Sequence, residues 1–139
     1  MSTEKKNILW VDDDVNRPAL LPDRDELELN GFTIIPVEKA DDFLKIIKEG
    51  IHKIDCIIID MSMATGSIDL KQAKNGTRTG LVLIEALKNS SHYKNVKVVV
   101  YSVINSDDIR EFCGDEIPYM DKSIKSKEFA NKIKEIMNS

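Results

Sequence analysis

The sequence predicts an α/β fold: a five-stranded parallel sheet, doubly wound, with helices over both faces as a three-layer sandwich. Three observations carry this. Short apolar runs recur without polar alternation, the pattern of parallel strands buried on both faces. Segments with helical spacing alternate with them, the order that βαβ units require. Several runs also end in polar residues: 8–11 in Asp12, Asp13 and Asp14, 56–59 in Asp60, 98–101 in Ser102, and 117–120 in Asp121 and Lys122. The carboxyl ends of parallel strands converge on one crevice in an open sheet, so these groups are expected to meet there.

Taken in order, residues 7–11 form the first strand. Residues 16–30 follow as a helix, with Leu20, Leu21, Leu27 and Leu29 toward the core and Gly31 at the stop. Pro18 suits a first turn, whereas Pro22 would remove an interior hydrogen bond, so this helix is expected to be kinked or to begin near Pro22. Residues 32–37 form the second strand. The second helix, 40–49, has Phe43, Leu44, Ile46 and Ile47 on its apolar face and closes at Gly50. Residues 53–59 make the most apolar strand, which belongs at the centre. From residue 61 to 79 no periodicity holds, and 62–79 reads as an extended loop after the third strand, long enough to suggest a function. The helix 80–89 resumes the pattern with Leu81, Ile84 and Leu87. A strand at 96–101, a short helix at 106–113, a strand at 117–120 and a helix at 125–137 with Phe129, Ile133 and Ile136 complete it.

The chain suits one domain, 1–139, long enough to bury a sizeable core. A formal net charge of −4 with scattered lysines offers no basic stripe, which argues against direct nucleic-acid binding. No apolar run approaches the roughly 20 residues that a membrane helix needs, and residues 1–6 are polar rather than secretory, so a cytoplasmic location is expected. Cys56 and Cys113 read as buried reduced thiols, and two cysteines with two histidines argue against zinc. With the last helix ending two residues before the final one, no attached effector domain is expected and output passes to a separate protein or to self-association.

Each polar strand end has an ordinary reading beside a chemical one. Three successive aspartates suit a solvated turn or helix cap, yet adjacent carboxylates repel unless a cation lies between them, and hard oxygens are what Mg²⁺ takes. Asp60 alone is a turn former; beside Asp12 and Asp13 it becomes a carboxylate able to attack phosphorus. Ser102 is a small strand-end residue or a donor to a phosphoryl oxygen. Lys122 is a surface lysine or an ammonium that offsets phosphoryl charge. The joint pattern is what is specific: an Asp pair, Asp, Ser and Lys, in that order, each at a separate strand end.

That ordered set on a fivefold β/α alternation resembles the receiver domain of two-component response regulators, of the stand-alone chemotaxis type with a flavodoxin-like fold, over essentially the whole chain. The resemblance implies that Asp60 accepts a phosphoryl group from a histidine kinase or histidine phosphotransfer protein. It implies that Asp12, Asp13, Asp60 and the Ser62 carbonyl hold Mg²⁺, that Ser102 is the switch hydroxyl, that Lys122 contacts the phosphate, and that Tyr119 is the aromatic that follows the switch. Such a domain is not a classical enzyme but promotes its own phosphotransfer and dephosphorylation, and signals through a separate effector or by homodimerising. Three positions depart from the family pattern: Ala64 and Ser123 stand where prolines are usual, and Val103 stands where a small residue flanks the phosphorylation site. The segment 64–79 is longer than usual by about a dozen residues, aligned on Gly80. It reads as a lid or docking surface in which Lys71, Lys74 and Arg78 meet an acidic partner or the phosphoryl group, or as a tolerated insertion.

Two other classes share some of these features. A haloacid-dehalogenase-type phosphatase would use Asp12 as nucleophile with Asp14, and a receiver-like interaction module would keep the acids without phosphorylation.

Overall fold

The computed structural model describes residues 5–103 and 106–138. Its strands are β1 (Lys6–Val11), β2 (Phe32–Val37), β3 (Cys56–Ile59), β4 (Lys97–Ser102) and β5 (Tyr119–Asp121). The helices are α1 (Leu21–Leu29), α2 (Ala40–Glu49), α3 (Thr79–Lys88), α4 (Asp107–Cys113) and α5 (Ser126–Met137), with a 3₁₀ turn at Pro18–Leu20. All strand pairs are parallel, in the order β2-β1-β3-β4-β5, and the most apolar strand is central as expected.

The two-residue period of the strands divides the core. Leu9, Val11, Ile57, Ile59 and Val100 face one side and pack with Phe43 and Ile47 of α2, Leu83 and Leu87 of α3, and Ile109 of α4. Ile8, Trp10, Ile58, Val99 and Tyr101 face the other and pack with Leu27 of α1 and Phe129 and Ile133 of α5. There Tyr101 stacks on Phe129 at 4.3 Å between centroids, with Trp10 at 5.9 and 5.6 Å from them. Both cysteines are buried and free, and burial pushes the Cys56 thiol up to about 12.

Three expectations change, each for a local reason. Leu21 and Leu29 do not join the core, being 42% and 80% exposed. The helix begins at Leu21 and puts Pro22 in its first turn, so Leu20, Asp23 and Leu27 share the buried face while Leu29, two positions from Leu27, lies on the opposite one. Strand β3 starts at Cys56 rather than at residue 53, because Asp55 Oδ2 takes the Asn7 N–H at 2.7 Å and Asn7 Nδ2 donates to the Lys53 carbonyl. Strand β5 starts at Tyr119 because Pro118 has no N–H for the ladder, although its carbonyl still accepts from Val100 at 2.9 Å.

Helix α2 has the predicted bounds, with Gly50 closing it at φ 67°, where a side chain would be strained. The stretch between β3 and α3 is irregular, as its sequence suggests, but it is packed. Ala73 and Met63 are buried, Ile68 rests on the core, and Asp41 of α2 accepts from both the N–H and the hydroxyl of Ser67, at 3.0 and 2.7 Å. Among the described residues no helix is long and apolar enough to cross a membrane.

Candidate functional site

Three strand ends build the floor of one crevice. Past β1, Asp12 Oδ1 accepts the Asp14 N–H at 2.8 Å, a local turn that ends the strand. At the end of β5, Asp121 Oδ1 accepts the Ser123 N–H at 2.8 Å in the same way, and the Lys122 N–H donates to the Ser102 carbonyl at 3.1 Å. Asp60 follows β3, its N–H donating to the Val11 carbonyl at 3.1 Å. Between them lies the Lys122 ammonium, 2.7 Å from Asp12 Oδ2 and 2.9 Å from Asp60 Oδ2. The two carboxylates are therefore no farther apart than those two contacts laid end to end.

The cluster is desolvated. Asp12 and Ser102 are fully buried, Asp60 nearly so. Burial, with Asp60 pressing beside it, pushes the Asp12 carboxyl up from 3.8 to about 6 against the pull of Lys122. Burial pushes Asp13 up as well, although its Oδ2 accepts the Ala64 N–H at 3.2 Å. For Lys122, burial pulls the ammonium down, but the two carboxylates outweigh it and hold it above its usual value. A carboxyl raised on folding stabilises the fold while protonated, and that contribution is lost as pH rises through its folded value. For Asp12 the window runs from 3.8 to about 6. In metal-free buffer, the change in unfolding free energy between about pH 4 and about pH 7, from urea titrations, is expected to differ between wild type and Asp12→Asn by up to about 3 kcal/mol, wild type losing more toward neutrality.

The crevice has a volume of about 500 Å³ and is lined by Asp14, Asp23, Asp60, Ser62, Val103 and Lys122 among others. Val103 stands at its edge, 70% exposed. Tyr119, half-buried, opens β5 three residues before Lys122 and packs against the core on the α2–α4 side.

The residues suit a hard divalent cation in part. Asp60 Oδ1 is buried with no hydrogen-bond donor, Asp12 Oδ2 meets only the Lys122 ammonium, and the available donors are oxygens, as Mg²⁺ prefers. Among the described residues no three His, Cys, Asp or Glu side chains are gathered closely enough to hold a metal by themselves. Asp13 is turned toward the Ala64 N–H, and the ammonium sits between the other two acids.

Sequence reasoning missed three features. Gly80, known only as an alignment point, packs directly on the Asp60 backbone. A methyl there would overlap the Asp60 carbonyl oxygen and come within 2.9 Å of Met61 Cα. Gly80→Ala is expected to cost about 1–3 kcal/mol and to displace the end of β3, measurable as a lowered urea midpoint. Second, the Tyr101 hydroxyl donates to Asp23 Oδ2 at 2.7 Å, tying β4 to α1 beneath the crevice. Third, Arg78 turns to the first turn of α4, its side chain 14% exposed. Its Nε and Nη2 donate to the two oxygens of Asp108 at 2.8 and 3.0 Å, and Nη2 also donates to Ser106 Oγ at 3.1 Å. Ser106 in turn donates to Asp108. Lys74 also turns to Asp108, at 3.5 Å. An arginine before a helix start carries no mark of its partner 30 residues away.

No family model matches the sequence, and no curated protein matches it. Solved structures resemble the fold over nearly its whole length. A response regulator from Thermotoga maritima is 20% identical, with 98% of this chain and 100% of that one covered and a TM-score of 0.68. A CheY-like receiver domain protein from Methanospirillum hungatei is 20% identical, covering 97% and 95%, with a TM-score of 0.73. The chemotaxis protein CheY4 of Vibrio cholerae is 13% identical, covering 96% and 99%, with a TM-score of 0.69. With five parallel strands in the order β2-β1-β3-β4-β5 and these likenesses along its length, the chain has the CheY-like receiver fold of response regulators.

Proposed function

We propose that the chain is a response regulator receiver that takes a phosphoryl group onto Asp60. The carrying observation is the Lys122 ammonium held between buried carboxylates from β1 and β3, at the floor of a crevice with room for a phosphoryl group. A carboxylate oxygen of Asp60 attacks phosphorus in line, a P–O bond forms, and the donor's P–N bond breaks with its electron pair leaving on the imidazole of a phosphohistidine. Lys122 offsets charge on the equatorial oxygens, and the Ser102 hydroxyl donates to one of them. Asp12, Asp13, Asp60 and the Ser62 carbonyl would hold Mg²⁺, which supplies charge neutralisation when bound. Water later cleaves the acyl phosphate.

The output is a shift between two arrangements of the surface formed by α4, β5 and α5, with Ser102 and Tyr119 as its switch. The donor is a histidine kinase or phosphotransfer protein in the cytoplasm, and the signal passes to an effector or to a second copy. A site occurring on this fold that promotes its own phosphorylation serves signalling rather than turnover.

The geometry favours Asp60 over Asp12 as nucleophile. Asp12 is sealed, with one oxygen committed to Asp14 and the other to Lys122, whereas Asp60 lines the crevice. Incubation with Mg²⁺ and a small acyl phosphate, read by peptide mass, is expected to add one phosphoryl group to the peptide bearing Asp60. No label, or a label on Asp12, would overturn this reading.

A further inference from the structure

We propose that Arg78 is a tie that carries the state of Asp60 to helix α4, by joining the exit of β3 to the first turn of that helix; the inference rests on Asp60 being the phosphoacceptor. One end of the tie is fastened to the acceptor's own backbone. Gly80 lies against the Asp60 carbonyl, its N–H donates to the Met61 carbonyl at 3.0 Å, and the buried Thr79 hydroxyl donates to the Met63 carbonyl at 2.7 Å. Arg78 is the next residue, so it has little slack relative to Asp60.

The other end is the fork on Asp108, in the first turn of α4, with Ser106 just before it. Two parallel charge-assisted bonds fix orientation as well as distance, which a lysine's single ammonium does not. The Arg78 side chain is 14% exposed, so the fork is partly shielded from competing water. A displacement of residues 60–63 must therefore either move α4 or break the fork.

The experiment loads the full chain with Mg²⁺ and beryllofluoride, follows loading by calorimetry, and reads amide exchange in residues 107–113. Wild type is expected to change exchange there on loading. Arg78→Ala should load but show a response at least about threefold smaller, and Arg78→Lys should resemble it. Lys74→Ala leaves the fork in place and should behave as wild type, while pairing Arg78→Asp with Asp108→Arg should recover part of the response. If Arg78→Ala does not fold, Asp108→Asn cuts the same tie from its exposed side. A wild-type response in the cut variants overturns the tie, as does wild type that loads without any response in α4. Wild type that fails to load overturns the phosphoacceptor reading itself, and the tie with it.

Discussion

Asp60→Asn is expected to abolish phosphoryl labelling while leaving the fold intact. Asparagine keeps the volume and one carbonyl oxygen but has no charged nucleophile, so incorporation should fall by more than about 10³-fold, to background. Phosphopeptide mass or an acid-stable label trapped by reduction measures it. The same change has a second consequence that a non-functional carboxylate would also show. The Asp60 charge adds to burial in raising Asp12, so removing it should bring the Asp12 carboxyl down from about 6 and flatten the pH dependence of stability. Labelling and pH slope together distinguish loss of a nucleophile from loss of the site: a variant that keeps its label but loses the slope would exclude Asp60 as acceptor.

Lys122→Met is expected to have the largest effect on stability. Methionine retains the apolar stem and removes the ammonium, leaving two buried carboxylates facing each other with Asp60 Oδ1 already lacking a donor. Removing one partner of a buried charge cluster typically costs about 3–5 kcal/mol. The loss should shrink on acidification, because Asp12, already raised to about 6, then takes a proton and the repulsion disappears. Millimolar Mg²⁺ should restore part of the loss at neutral pH, by binding the folded state alone. Urea unfolding at two pH values, with and without Mg²⁺, separates these terms. A variant as stable as wild type at neutral pH without metal would mean that the three charges do not act as one unit. Phosphotransfer by this variant should also fall by about 10²–10³-fold, since the ammonium is aimed at the charge that develops on phosphorus oxygens.

Most of the fold was legible because parallel strands covered on both faces read as uninterrupted apolar runs, and Gly50 marked a helix end by its conformational freedom. What failed was local competition. Pro118 and Asp55 shortened two strands through one missing donor and one side-chain bond, and the face of α1 was set by where the helix starts rather than by its leucines. The site was legible for a topological reason: strand ends of a parallel sheet converge, so Asp12, Asp60, Ser102 and Lys122 come together without any local signal linking them. The bond from the Ala64 N–H to Asp13 Oδ2, across 51 residues of sequence, had no local signal either. The pairing of Arg78 with Asp108 was not legible because contacts between surface-type charges on different elements leave no period and no spacing to read.

The laced construction of the segment after β3 bears on how it can be exchanged between proteins. Asp41 holds it from α2 and Asp108 from α4, and Ala73 fills a place inside the core. A graft of this stretch into a shorter relative would arrive without either acidic anchor and with a methyl seeking a cavity, so the two aspartates must travel with it for the chimaera to hold its shape.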